Sequence, residues 1–205
     1  LQLGNYRAGG RSAKLGGLGL SAICRALARG NEIPEREQSM RIGIYGGSFA
    51  PIHNGHLLLD ESAREQLKLD KVFFVPAATA PHKRSQESAP ATARIEMLKL
   101  AISGNPALEI SLLEIDRGGV SYTVDTLTAL RGAHPDAELI LLVGGDTLAD
   151  MPNWRDPEQI VKIARLAVVD RPGSSFEQIA LPGAELLPVS RPLIDFSSRE
   201  LRNRV

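Results

Sequence analysis

Short apolar runs alternate along the chain with longer stretches in which apolar residues recur at helical spacing. Continuous apolar runs are typical of strands buried on both faces of a parallel sheet. The predicted strands lie at residues 42–45, 71–76, 108–112, 138–143, 163–169 and 186–189. Amphipathic helices are predicted at residues 55–67, 92–102 and 121–130. This alternation predicts an α/β fold with a doubly wound parallel sheet, whose ligand crevice lies at the carboxyl edge of the strands.

The first predicted strand is followed at once by two glycines and then, after Pro51, by the first helix. Glycine lets the backbone turn sharply and lie close to a ligand, so Gly46 and Gly47 predict a tight turn. In the helix the apolar residues form one stripe, and Asp60 falls among the polar positions. At the other end of the sheet, Pro188 in the last predicted strand indicates an edge position, because proline cannot donate a ladder hydrogen bond.

His53 and His56 stand three residues apart where the first helix begins. If the first helical turn includes them, both rings lie on one side of the helix end. Backbone N–H groups and the helix dipole attract anions there, and two imidazoles can donate hydrogen bonds to phosphate without a permanent charge. A metal site is an alternative, but the segment lacks a third ligand and no HExxH occurs. Neither of the nucleotide-binding motifs GxGxxG and GxxxxGK[ST] occurs. The interpretation that the histidine pair has no function stays open.

The composition narrows the class of protein. The 205 residues include 24 basic and 24 acidic side chains, so the whole chain has no net attraction to nucleic acid or anionic membranes. Cys24 is the only cysteine, which excludes an internal disulfide and fits a reducing cytosol. No apolar run approaches the roughly 18 residues that a membrane span requires. The length suits one α/β domain with a sizeable core.

Residues 1–39 differ from the rest because they are rich in glycine and carry six basic but only three acidic side chains. The chain begins with Leu1, whereas Met40 immediately precedes the first predicted strand. We therefore expect residues 1–39 to be a poorly ordered or non-native extension and residues 40–205 to form the functional domain. The alternative is a basic arm that contacts RNA or serves as a targeting segment.

Later strands also deliver polar residues to the carboxyl edge of the sheet. The loop at 77–84 contains Lys83 among other basic residues, and it is either a phosphate-steering loop or an ordinary solvated one. Asp146 follows the strand at 138–143, where a carboxylate can accept hydrogen bonds from ribose hydroxyls. Trp154 lies in a polar stretch and either stacks on a flat ring or packs under the next helix.

A second polar constellation lies near the end of the chain. Ser197 and Ser198 can cap a helix start and leave N–H and hydroxyl donors that face a phosphate. Arg202 then lies one turn along, on the same side as Ser198. A capped helix with an exposed arginine is the plain alternative.

The segment at 47–56, Gly-Ser-Phe-Ala-Pro-Ile-His-Asn-Gly-His, resembles the GSFxPxHxGH signature of the HxGH nucleotidyltransferases, which have a Rossmann-like fold. Within them it is most similar to the bacterial nicotinate-nucleotide adenylyltransferases. The likeness extends to their PxxxxPHK segment at 76–83, their SYTxDT segment at 121–126 and, with Phe196, Arg199 and Leu201 as replacements, their ISSTxIR motif. The chain differs at Ala50, where the family usually carries Asp or Asn, and Val205 predicts a short C-terminal tail.

The resemblance implies transfer of AMP from ATP to nicotinate mononucleotide, giving nicotinate adenine dinucleotide and pyrophosphate in NAD biosynthesis. It implies catalytic roles for His53, His56 and Arg202. The residues implied to bind ATP are Gly46, Gly47, Ser48, Phe49, His53, His56, Gly144, Asp146, Ser197, Ser198 and Arg202. Those implied to bind the mononucleotide are Lys83, Thr123, Trp154 and Arg155, although Thr123 can also be a simple helix cap.

Further expectations follow from the same resemblance. Mg²⁺ enters with ATP and is held mainly by phosphate oxygens and water, with no metal-binding residues in the protein. The enzyme is cytoplasmic and has neither a membrane nor a nucleic acid as a partner, while a homo-oligomer stays open. The alternatives are a related adenylyl or cytidylyl transferase, such as one that acts on phosphopantetheine, or a nucleotide-binding protein without turnover.

Overall fold

A parallel sheet of six strands forms the centre of the fold. The computed structural model describes residues 39–81, 89–169, 181–190 and 198–203. The strands are β1 (Arg41–Gly47), β2 (Lys71–Pro76), β3 (Leu108–Ile110), β4 (Glu138–Gly144), β5 (Arg165–Val169) and β6 (Leu186–Val189). Their order in the sheet is β3-β2-β1-β4-β5-β6, and every neighbouring pair is parallel. The winding direction reverses between β1 and β4, as in a doubly wound sheet, which confirms the predicted fold class.

Helices cover both faces of this sheet. They are α1 (Asn54–Leu67), α2 (Ala91–Ile102), α3 (Leu113–Arg117), α4 (Thr123–Ala133), α5 (Gly145–Asp150), α6 (Pro157–Ile163) and α7 (Ser198–Asn203). Successive strand residues point to opposite faces, so Ile44 packs with Leu127 of α4 in one apolar cluster. On the other face, Phe74 packs with Leu59 of α1 and Leu98 of α2. In the described ranges, no helix is long and apolar enough to cross a bilayer.

All six predicted strands are present, but the fifth begins at Arg165 rather than at residue 163, which ends α6. The predicted glycine turn is wrong. Gly46 and Gly47 belong to β1, because their backbones continue the pairing with Val75 and Pro76 of β2. The direction of the chain changes after β1, where Phe49 has a positive φ of 46°. The sharp turn therefore depends on a strained phenylalanine rather than on glycine.

Three further predictions have clear outcomes. Asp60 is fully buried on α1, which contradicts its assignment among the polar positions. The short helices α3 and α5 were not predicted, and β3 ends at Ile110 rather than at residue 112. The edge position of β6 is confirmed. The prediction about residues 1–39 concerns residues that, Ser39 apart, lie outside the described ranges, and it stays a prediction.

Candidate active site

The main cavity opens at the carboxyl ends of β1 and β4, where the winding of the sheet reverses. Its volume is about 440 Å³. Residues from the end of β1, the following loop, α4 and the end of β4 line it, among them Gly46, Ser48, Thr123 and Gly144. This is the place where doubly wound sheets bind their ligands.

The two histidines form a stacked pair at the start of α1. His53 is the residue that precedes the helix, with an extended backbone, and His56 lies in the first turn. Their ring centroids are 3.8 Å apart, so both rings lie on one side of the helix end, as predicted. The backbone N–H of His53 donates a hydrogen bond to Nδ1 of His56 at 3.2 Å.

This hydrogen bond decides which nitrogen of His56 carries the proton. Because Nδ1 is an acceptor, the proton of the neutral ring resides on Nε2. Burial, with a smaller contribution from the nearby His53 charge, lowers the pKa of His56 to about 4. His56 is therefore neutral at pH 7, lines the cavity, and offers one N–H donor without a positive charge.

Phe49 supports the histidine pair from the loop. Its ring is 2% exposed and lies edge-on to both Tyr45 and His56, with centroid distances of 5.5 Å and 5.4 Å. A Cβ added to Gly47 would lie 3.1 Å from this ring, so the close approach favours glycine here. The ring thereby links the end of β1 to the first turn of α1.

The second constellation contacts the loop that leads into the histidines. Oγ of Ser198 donates a hydrogen bond to the carbonyl of Pro51 at 2.9 Å, and Arg202 donates one to the carbonyl of Ala50. Ser198 and Pro51 are 147 residues apart in sequence, yet the two constellations share this loop. The contacts use backbone carbonyls, so they do not depend on the side chain that Ala50 lacks. Ser197 lies outside the described residues.

A smaller cavity of about 130 Å³ lies beside Trp154, and Thr123 also lines it. Nε1 of Trp154 donates a hydrogen bond to the carboxylate of Asp150 at 3.2 Å, and the half-buried ring packs partly against the core. The indole thus has a packing role and a side that lines both cavities. Arg155 places its guanidinium 4.9 Å from the centre of the Tyr122 ring.

Some cavity residues were missed by the sequence reasoning. Glu114 and Thr126 line the main cavity, and Oγ1 of Thr126 donates a hydrogen bond to Oε1 of Glu114 at 2.6 Å. Thr147 on α5 lines it as well. Glu114 belongs to the short helix α3, which has no apolar periodicity long enough to reveal it.

The lining of the main cavity, as formed by the described residues, does not include two further predicted site residues. Asp146 is exposed in the first turn of α5 and lies outside the set that lines the main cavity, whereas the neighbouring Gly144 belongs to that set. Lys83 lies outside the described residues. Their roles stay predictions.

Comparison with known proteins agrees with this geometry. The model of the family described as cytidylyltransferase-like matches residues 44–204. A probable nicotinate-nucleotide adenylyltransferase of Thermomicrobium roseum is 42% identical over 171 residues, which cover 80% of each chain. One of Thermus thermophilus is 46% identical over 166 residues, covering 81% of this chain and 87% of the relative.

A solved structure shows the same fold at lower sequence identity. It is a Plasmodium falciparum nicotinic acid mononucleotide adenylyltransferase complexed with NaAD, with a TM-score of 0.66 and 21% identity. The match covers 80% of this chain and 83% of the other. The resemblance found in the sequence is thereby confirmed: the chain belongs to the cytidylyltransferase-like family and, within it, to the nicotinate-nucleotide adenylyltransferases.

Proposed function

We propose that this protein transfers AMP from ATP to nicotinate mononucleotide, forming nicotinate adenine dinucleotide and releasing pyrophosphate. The observation that carries the proposal is the shared loop. Ser198 and Arg202 bond to the carbonyls that lie just before His53, so residues from the far end of the chain meet the histidine pair at one loop. The names of the relatives, at 42% and 46% identity, support the same reaction.

The chemistry requires alignment rather than a protein nucleophile. An oxygen of the acceptor phosphate attacks the α-phosphorus of ATP, and the bond from that phosphorus to the bridging oxygen of pyrophosphate breaks. The rate then depends on holding the two substrates in line and on stabilising negative charge as it develops. The neutral His56 suits this task, because its Nε2–H is a fixed donor at the mouth of a helix.

The other residues divide between the two substrates. We assign Ser198 and Arg202 to the outgoing pyrophosphate, together with Ser197. We assign the smaller cavity beside Trp154 to the pyridine ring, because an indole face stacks well on a flat heterocycle. Thr123 and Arg155 line the same cavity and are the side chains assigned to the mononucleotide there.

We expect a divalent cation to enter this site together with the nucleotide. In the described part of the chain, no three His, Cys, Asp or Glu side chains are grouped so as to hold a metal ion. Besides the carboxylate of Glu114, the polar side chains that line the cavity or are assigned to the phosphates carry hydroxyl, imidazole and guanidinium groups, which suit phosphate oxygens. Mg²⁺ is therefore expected to bind through the phosphates and water, where it neutralises charge on the triphosphate. The cytoplasmic location and the homo-oligomer stay predictions.

The test removes the central donor. We expect His56→Ala to lower kcat by roughly two orders of magnitude, the usual cost of a lost transition-state donor. His134→Ala is the matched control, because His134 caps the C-terminal end of α4 and contacts Phe73 away from the main cavity. Single-turnover transfer of AMP in the presence of Mg²⁺ separates chemistry from product release. A near-normal rate in His56→Ala would remove His56 from the mechanism.

A further inference from the structure

Arg94 is a buried cation behind one wall of the main cavity. It lies near the start of α2 and is 4% exposed. Its Nη1 donates a hydrogen bond to the carbonyl of Ser48 at 2.9 Å, and its Nε donates one to the carbonyl of Ala89 at 3.0 Å. Ser48 itself lines the cavity, so the guanidinium contacts the backbone of a residue in the cavity wall.

The charge of Arg94 has no protein counter-ion in the described ranges, where both of its hydrogen bonds go to backbone carbonyls. Burial alone lowers the pKa of Arg94, and an arginine nevertheless stays protonated in proteins. A buried charge without a partner is strongly unfavourable, so it needs compensation from elsewhere. The proposed reaction brings a polyphosphate anion to the other side of Ser48.

The same hydrogen bond also fixes the orientation of the loop. In a trans peptide the carbonyl and the following N–H point in opposite directions. Because the carbonyl of Ser48 points to Arg94, the N–H of Phe49 points away from the guanidinium. Ser48 and Phe49 both line the main cavity. Phe49 has a φ of 46°, which disfavours a residue with a side chain, so the loop needs an external contact to hold this conformation.

We propose that Arg94 is a positioning residue for the polyphosphate. It orients the Ser48–Phe49 peptide and places behind it a positive charge that has no counter-ion among the described residues. The inference rests on the proposed function, because it assumes that ATP occupies the main cavity. It adds to the site a residue from α2, an element that contributes no side chain to the cavity among the described residues.

A second arginine provides a matched control. Arg131 of α4 also donates hydrogen bonds to backbone carbonyls, those of Ala137 at 2.6 Å and Ile163 at 3.0 Å. These two residues lie just before β4 and β5, so Arg131 acts at the amino edge of the sheet, away from the cavity. Arg94→Met removes two such contacts, and Arg131→Met removes four, because Arg131 also donates to the carbonyls of His134 and Pro135. Only Arg94 lies behind the polyphosphate.

Titration calorimetry with ATP and with inorganic pyrophosphate tests the inference. We expect Arg94→Met to weaken both affinities by roughly 10- to 100-fold, the range for hydrogen bonds that involve a charged group. Arg94→Lys, which keeps the charge but cannot bridge both carbonyls, should lose less. The affinities of Arg131→Met for ATP and pyrophosphate should stay within about twofold of those of the parent protein, although the thermal stability of this variant falls. In kinetics, the KM for ATP should rise while the KM for nicotinate mononucleotide stays constant.

The outcomes separate this inference from the proposed function. A folded Arg94→Met variant that binds ATP and pyrophosphate as tightly as the parent protein would overturn the role of Arg94 alone. If Arg94→Met does not fold, the affinities of Arg94→Lys and Arg131→Lys for ATP and pyrophosphate are compared instead. Weaker binding by Arg94→Lys alone supports the role of Arg94, and equal affinities overturn it. A parent protein that binds neither ATP nor pyrophosphate would overturn both proposals.

Discussion

Asp60 provides a sharp test of how this domain is held together, because its carboxylate is fully buried. Neither carboxylate oxygen has a hydrogen-bond partner in the described residues. Burial, and to a smaller extent the negative charge of Glu61, raises the pKa of Asp60 from 3.8 to about 7. The folded state thus binds this proton more tightly than the unfolded state, so the free energy of unfolding falls as pH rises from 3.8 to about 7.

The expected size of this effect follows from the shift. Each pKa unit corresponds to about 1.4 kcal/mol, so the full penalty is about 4 kcal/mol above pH 7. Roughly 3 kcal/mol of that penalty develops between about pH 5 and pH 8. Asp60→Asn removes the ionisation and keeps the shape. The stability difference between the variant and the parent protein should therefore grow in favour of the variant by that amount over the same interval.

Urea denaturation at a series of pH values measures the difference. Asp136→Asn is the matched control, because Asp136 is exposed in a turn before β4. Parallel stability curves for Asp60→Asn and the parent protein would refute the reasoning. They would mean that the buried carboxylate finds a partner or water that stabilises its charge.

Two further predictions concern the site. Trp154→Ala should raise the KM for nicotinate mononucleotide by roughly 10- to 100-fold, the usual range for a lost stacking contact, and leave the KM for ATP unchanged. Trp154→Phe should keep most of the affinity. Equal changes in both constants in steady-state assays would show that the indole only packs. His56 should show no titration above about pH 5 when its ring protons are followed by NMR, because its pKa is lowered to about 4; a midpoint near 6.5 would contradict the tautomer and donor assigned to it.

The layout of the sheet could be predicted from the sequence because its strands are buried on both faces. The runs at β2 and β4 contain almost only apolar residues, so their bounds were visible without any tertiary information. Pro188 likewise identified the edge strand. The histidine pair was visible because three residues of helix place both rings together.

Other features depend on contacts between residues that are far apart in sequence, and these could not be predicted. Asp60 and Arg94 are polar residues on buried helix stripes, and nothing in the local pattern distinguishes them from solvent-facing positions. The carbonyl that Arg94 contacts is 46 residues away. The two glycines of β1 were assigned to a turn because glycine usually permits one, but pairing with β2 keeps them in the strand.

The central claim is that the main cavity aligns ATP with a pyridine mononucleotide. A competition assay with ATP and Mg²⁺ tests it most directly, with nicotinate mononucleotide, nicotinamide mononucleotide and phosphopantetheine offered together. We expect pyrophosphate to be released in equal amount to nicotinate adenine dinucleotide, with nicotinate mononucleotide as the preferred acceptor. Release of pyrophosphate with phosphopantetheine as the preferred acceptor, or no release with any acceptor, would contradict the account.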